Sequence, residues 1–174
     1  MTWAEIQTHD LLPATAAPVN SDHQPYMELD ELLDAYFRTH VIFVDPKTPG
    51  LTGSFRTELI AILKNHRGWE DRFVAKSVPG DGNDGWLSQA RAAGFVTNAM
   101  FYPFNDFETY YAQGDILGME YTADQSVWDD ITALGKPVLA HICPNEAAVA
   151  TGLGKGAVGV VVSGVVQVPR VPGL

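Results

Sequence analysis

The 174-residue chain is 46% apolar and 18% charged, enough apolar content for one domain with a substantial core and too much for a disordered segment. Its 21 acidic residues against 11 basic ones leave a formal charge of −10, a surface that repels phosphate backbones and excludes nucleic acid as the expected partner. Cys143 is the only cysteine, which excludes an internal disulfide and any multi-cysteine metal site.

After an opening segment without clear periodicity, residues 27–37 place Leu29, Leu32, Leu33, Tyr36 and Phe37 at helical spacing with acids opposite. Residues 41–45 read as a strand ended by Pro46, and Ser54 is expected to cap a helix with Leu59, Ile60 and Leu63 on its apolar face, closed by Gly68. The unit then repeats. Residues 72–76 form a strand, 85–93 a helix stopped by Gly94, 95–101 a strand, and 105–112 a short helix. Residues 115–119 give a weaker strand, 124–134 a helix stopped by Gly135, and 138–142 another strand. Asn145 caps a helix ending near Gly154, and 157–162 is the last strand, apolar throughout as if covered on both faces.

Six strand–helix units of this kind imply an α/β domain with a parallel sheet. A doubly wound sheet would carry a Gly-rich phosphate loop after its first strand, and residues 45–50 (DPKTPG) are not one. A barrel instead gathers its chemistry at the C-terminal ends of several strands. Polar residues do stand at or near those ends: Asp45 and Lys47, Lys76 and Ser77, Asn98, Glu120, His141 and Ser163. The expected architecture is therefore an incomplete (β/α)8 TIM-barrel type with about six parallel strands, one domain over residues 1–174.

The longest apolar stretch, 157–168, is interrupted by Gly159, Ser163, Gly164 and Gln167 and cannot span a bilayer. The first thirty or so residues lack a basic start followed by an apolar run, so no secretory signal is expected. A soluble, cytoplasmic protein is the default expectation.

Several short segments, taken in order, resemble the glycerophosphodiester phosphodiesterases. Residues 2–7 (TWAEIQ) resemble the Thr-Trp-x-Glu-Leu segment that follows the family's second strand, and residues 28–33 (ELDELL) its Leu-x-Glu-Leu-Leu helix. Residues 44–47 (VDPK) resemble the third strand's Glu-x-Lys, while residues 92–94, 135–138 and 156–161 resemble later elements. The resemblance implies that the six strands are strands three to eight of the family barrel. The family's His-Arg-Gly, Glu-x-Asp and His-Asp elements precede the Thr-Trp-x-Glu segment, so the resemblance implies a truncated or degenerate member. Two look-alikes are set aside. His9-Asp10 follows the Trp3 segment instead of preceding it, and residues 66–68 (HRG) end a helix instead of following a strand.

What the resemblance implies for chemistry is phosphodiester hydrolysis with a divalent cation, Mg²⁺ or Ca²⁺, held by carboxylates. It makes Asp45 a metal ligand one methylene shorter than the family's glutamate, and Lys47 a phosphate contact. On their own terms, the residues allow Asp45 to be a turn former before Pro46, Lys76 to be a salt-bridged barrel-top lysine or a catalytic one, and His141 to be a proton shuttle or a hydrogen-bonded structural histidine. Glu120 and Tyr102 are candidate substrate contacts, with Phe104, Tyr110 and Tyr111 as further pocket aromatics or packing. Activity of the chain alone is expected to be impaired. Two alternatives stay open: a non-catalytic phosphate- or partner-binding barrel remnant that self-associates through open sheet edges, and a Schiff-base lyase using Lys76 or Lys47.

Overall fold

The computed structural model describes residues 3–6, 28–47, 53–80 and 84–163. Backbone contacts divide the chain into two compact units, residues 1–42 and 43–174. In the first lie the short helix α1 (Trp3–Ile6) and helix α2 (Leu29–Tyr36). Helix α2 starts on a capping box in which the Glu31 side chain accepts from the Glu28 N–H at 2.9 Å, and its acidic first turn opposes the positive end of the helix. His9-Asp10 lies outside the described residues.

The second unit alternates strand and helix. It runs from β1 (Ile42–Val44, which opens on the last residue of the first unit) through α3 (Gly53–Lys64), β2 (Phe73–Ser77), α4 (Asp84–Ala92) and β3 (Val96–Phe101). It continues with α5 (Phe107–Tyr110), β4 (Ile116–Glu120), α6 (Gln125–Ala133), β5 (Val138–Cys143), α7 (Glu146–Gly154) and β6 (Gly159–Val162). The six strands form one parallel sheet in the order β1-β2-β3-β4-β5-β6. Each crossover moves one place in the same direction, so the sheet has no point where strand order reverses. That rules out the doubly wound alternative and leaves an open section of a (β/α)8 barrel.

Helices and the outward side chains of the strands make the core. Phe73 and Ala75 of β2, Ala99 and Phe101 of β3, Leu117 and Met119 of β4, and Ala140 of β5 are all buried, as are Leu87 and Ala90 of α4 and Ile131 of α6. Two tryptophans at zero exposure tie helices to strand ends. The Trp86 indole N–H of α4 donates to the Val44 carbonyl at 3.3 Å, and that of Trp128 in α6 donates to the Glu120 carbonyl at 3.2 Å. A buried indole N–H without a partner would be costly, so these bonds fix where β1 and β4 end.

The structure adjusts three expectations and bears out a fourth, the strand over 115–119. Helix α3 is described from Gly53, one residue before the expected cap Ser54, which lies in its first turn. The helix expected over 105–112 shrinks to α5 followed by a 3₁₀ turn, Tyr111–Gln113, because the Asp106 carboxylate accepts from the Thr109 N–H and takes the cap position. Residues 115–119, the weaker strand of the sequence, become β4 in the middle of the sheet. Gly118 permits this: a Cβ there would stand 2.3 Å from the Met100 sulfur and 3.3 Å from the His141 ring. The final strand, apolar enough to be covered on both faces, is half-buried because it pairs with β5 alone among the described strands. Gly94 and Gly135 stop α4 and α6 as expected, both at positive φ (96° and 73°). Among the described residues no helix is long and apolar enough to cross a membrane.

Candidate functional site

Asp45 leaves the end of β1, where the Trp86–Val44 hydrogen bond fixes the preceding carbonyl. Lys76 is the penultimate residue of β2, the neighbouring strand. Their side chains meet: Lys76 Nζ donates to Asp45 Oδ2 at 2.8 Å. Lys47, two residues beyond Asp45, places its own Nζ 2.9 Å from the same oxygen. The aspartate and Lys76 side chains are only 15% and 21% exposed, whereas Lys47 is 69% exposed. One carboxylate against two ammonium groups leaves a local excess of one positive charge, on a chain whose formal charge is −10. One half-buried and one exposed ammonium group at a strand-end rim are suited to an anion.

Strand register extends the site. Residues paired across parallel strands point to the same face, and alternate residues along a strand share it. Lys76 is paired with Asn98, Met100 with Gly118, and Glu120 with His141. Asn98 is itself paired with Ile116, two residues before Gly118 and four before Glu120. Lys76, Asn98, Met100, Gly118, Glu120 and His141 therefore occupy the face that a closed barrel would enclose. Asn98 is fully buried, and its Nδ2 donates to the Ile116 carbonyl at 3.2 Å.

His141 is 1% exposed, and its Nε2 lies 2.8 Å from the Phe101 carbonyl. That carbonyl can only accept, so Nε2 carries the proton and Nδ1 presents a lone pair; Nδ1 is buried without a hydrogen-bond partner. Burial pushes the imidazole below its ordinary pKa, and the Lys76 charge pushes the same way. The Phe101 carbonyl and Glu120 pull it up without overturning the result. The histidine is thus held neutral, with its ring edge against Tyr102 (centroids 5.3 Å, 81°).

Tyr102 begins the loop after β3, and its ring is stacked on Phe104 at 5.5 Å with only 3° between the planes. Asn105 pins this loop: its side-chain oxygen accepts from the Tyr102 N–H at 2.7 Å, and its own N–H donates to the Tyr102 carbonyl at 2.9 Å. A cleft of about 390 Å³ lies here, lined by Lys47, residues 78–80, Tyr102, Phe104 and Asn105.

Of the residues that the sequence singles out, Asp45, Lys47 and Lys76 form one cluster, and Tyr102 shares a cleft with Lys47. Glu120 and His141 stand side by side on β4 and β5. Tyr110 and Tyr111 are half-buried and do not line this cleft; Tyr111 holds the Lys136 ammonium over its ring at 5.2 Å. The HRG tripeptide follows α3, which ends at Lys64 and not at Gly68 as expected; Gly68, at φ 82°, precedes a 3₁₀ turn, Trp69–Asp71, and the tripeptide does not follow a strand. Sequence reasoning passed over Trp86, Asn105 and the loop 78–80. The Pro79-Gly80 pair marks a turn directly after a strand, and that was the signal available.

The described residues do not by themselves suit a divalent cation. Among them no group of three or more His, Cys, Asp or Glu side chains converges, and Asp45 Oδ2 already faces two ammonium groups. A hard cation takes several oxygen ligands, and two ammonium neighbours oppose one at this carboxylate.

No protein-family model matches the sequence, and no curated protein matches it. Solved structures do. A protein of Agrobacterium tumefaciens str. C58, provisionally assigned as a glycerophosphoryl diester phosphodiesterase, superposes with a TM-score of 0.69 at 19% identity, over 93% of this chain and 67% of that one. A protein of Silicibacter pomeroyi DSS-3 with the same assignment superposes with a TM-score of 0.59 at 19% identity, over 80% of this chain and 53% of that one. At such identity the likeness establishes a shared barrel fold.

Proposed function

We propose that this chain acts on phosphodiesters of the glycerophosphodiester class, its described residues supplying the phosphate-binding part of the site. The observation that carries this reading is the convergence of Lys47 and Lys76 on one oxygen of Asp45 at neighbouring strand ends. The fold shared with two proteins so assigned, and the Asp45-Pro46-Lys47 segment in the place of that family's Glu-x-Lys, support it. On this reading the six strands stand where strands three to eight of the family barrel stand.

The two ammonium groups would neutralise the non-bridging phosphoryl oxygens and orient the diester, with Asp45 holding both in place until the anion arrives. His141 does not reach this point as a proton carrier while its Nδ1 is buried; its contacts with the Phe101 carbonyl and the Tyr102 ring make it a positioning residue for the loop that follows β3. Hydrolysis further needs charge neutralisation at the leaving oxygen and a proton donor, and the described residues bring together no group of three metal-ligating side chains for the first task. That same observation favours a second reading, a phosphate-binding barrel section without turnover.

Titration of the chain with inorganic phosphate, alongside an assay of glycerophosphocholine and a bis-aryl phosphate in Mg²⁺ or Ca²⁺, separates the two. We expect phosphate binding that weakens about tenfold or more in Lys47→Ala and in Lys76→Ala, with very slow turnover by the 174-residue chain. Rapid turnover would eliminate the non-catalytic reading. Phosphate affinity indifferent to both lysines would eliminate the anion site itself.

A further inference from the structure

The cleft beside Lys47 has a wall that phosphate binding does not explain. Phe104 is 82% exposed and lines the cleft together with Tyr102. It is not a loose side chain on a loose loop. Its ring stacks parallel to Tyr102 with an offset, Tyr102 packs against the buried His141 in a T-shaped contact, and Asn105 locks the backbone between them through two hydrogen bonds. His141 in turn grips the last residue of β3 through the Phe101 carbonyl. The exposed Phe104 ring is thereby held in place at small further entropic cost, the condition under which a planar group gains most by stacking.

Resting on the phosphate reading of Lys47 and Lys76, we propose that this cleft, between the 78–80 turn and the Tyr102–Phe104 loop, is the subsite for the organic group of the phosphoester, and that it selects flat or apolar groups carrying no positive charge. The cleft, at about 390 Å³, is roomier than the ~150 Å³ cavity that holds a benzene ring. Lys47 shares the cleft with Phe104, so a phosphoryl group held by that ammonium delivers its ester substituent along the aromatic wall. The charge pattern decides the class. Among the described residues no carboxylate lines the cleft and one ammonium does, which opposes a cationic substituent. Quaternary-ammonium sites surround the cation with several ring faces. Here the two rings are parallel, so they do not enclose a cation between their faces.

Calorimetric titration of the full chain with inorganic phosphate, phenyl phosphate and phosphocholine tests the assignment. We expect phenyl phosphate to bind about tenfold more tightly than either of the others, the scale of one stacking contact. Because Phe104 is so exposed, Phe104→Ala folds, and it should bring phenyl phosphate down to the affinity of inorganic phosphate, while Phe104→Trp restores the preference. Phosphate binding with no aryl preference, or a preference that survives Phe104→Ala, overturns the subsite and leaves the lysine site standing. Tighter binding of phosphocholine overturns the charge selection. If none of the three binds, the lysine reading fails and takes this subsite with it.

Discussion

His141 shows how contacts choose between two readings that the sequence leaves open. In sequence it is a histidine near a strand end, either a proton shuttle or a hydrogen-bonded structural residue. In the structure it is sealed, neutral and occupied in holding Phe101 and Tyr102. Its depressed pKa has a consequence with a definite sign. Below an unfolded-chain pKa of about 6.5 the unfolded state binds a proton that the folded state refuses, so the unfolded state gains on acidification. The stability that His141 contributes is fully present above about pH 6.5 and is lost as pH falls below it. Urea midpoints should drop between pH 7.5 and pH 5.5, and His141→Gln, which cannot titrate, should flatten that slope. An equally steep slope in the variant would show that other groups carry it. Asp45, Lys47 and Lys76 were legible from sequence because the strand-end rule of parallel barrels needs only strand boundaries. Trp86 and Asn105 were not legible, since their roles depend on a backbone carbonyl 42 residues away and on a three-residue side-chain turn.

At the scale of elements, agreement between sequence and structure follows from where local chemistry alone decides. Asn145 was expected to cap α7, and its side-chain oxygen does accept from the Ala148 N–H at 3.0 Å. Gly94 and Gly135 end helices because each sits at a positive φ that other residues avoid. Where the local signal is weak, tertiary context explains the element. Gly118 weakened the β4 signal, yet the close approach of Met100 requires it there. The cap chemistry yields a paired prediction. Asn145→Ala should cost about 1 kcal/mol of stability, the usual loss for a bonded cap. Asp124 holds the same position ahead of α6 but makes no side-chain cap bond, so Asp124→Ala should cost clearly less. Parallel urea denaturation of the two variants decides it, and equal losses would refute the distinction.

For the molecule as a whole, the consecutive strand order has a physical cost that the sequence already foreshadowed. Each strand pairs with its chain neighbours, and among the described strands β1 and β6 have one partner each and stand at the two edges. A parallel edge presents unpaired N–H and carbonyl groups, and natural sheets shorten such edges, charge them, cover them or join them. Both edge strands here are short, Ile42–Val44 and Gly159–Val162, and β6 is apolar and half-buried, without a charged residue to deter pairing. The expected behaviour is concentration-dependent self-association. Sedimentation velocity across a hundredfold concentration range should show the mean sedimentation coefficient rising, and Val161→Lys, which puts a charge on the β6 edge strand, should suppress that rise. A monomer at every concentration that also melts in one cooperative transition would mean that the edges are tolerated without a partner. In that case the short length of β1 and β6 is the protection, and pairing between copies has no part in holding the sheet.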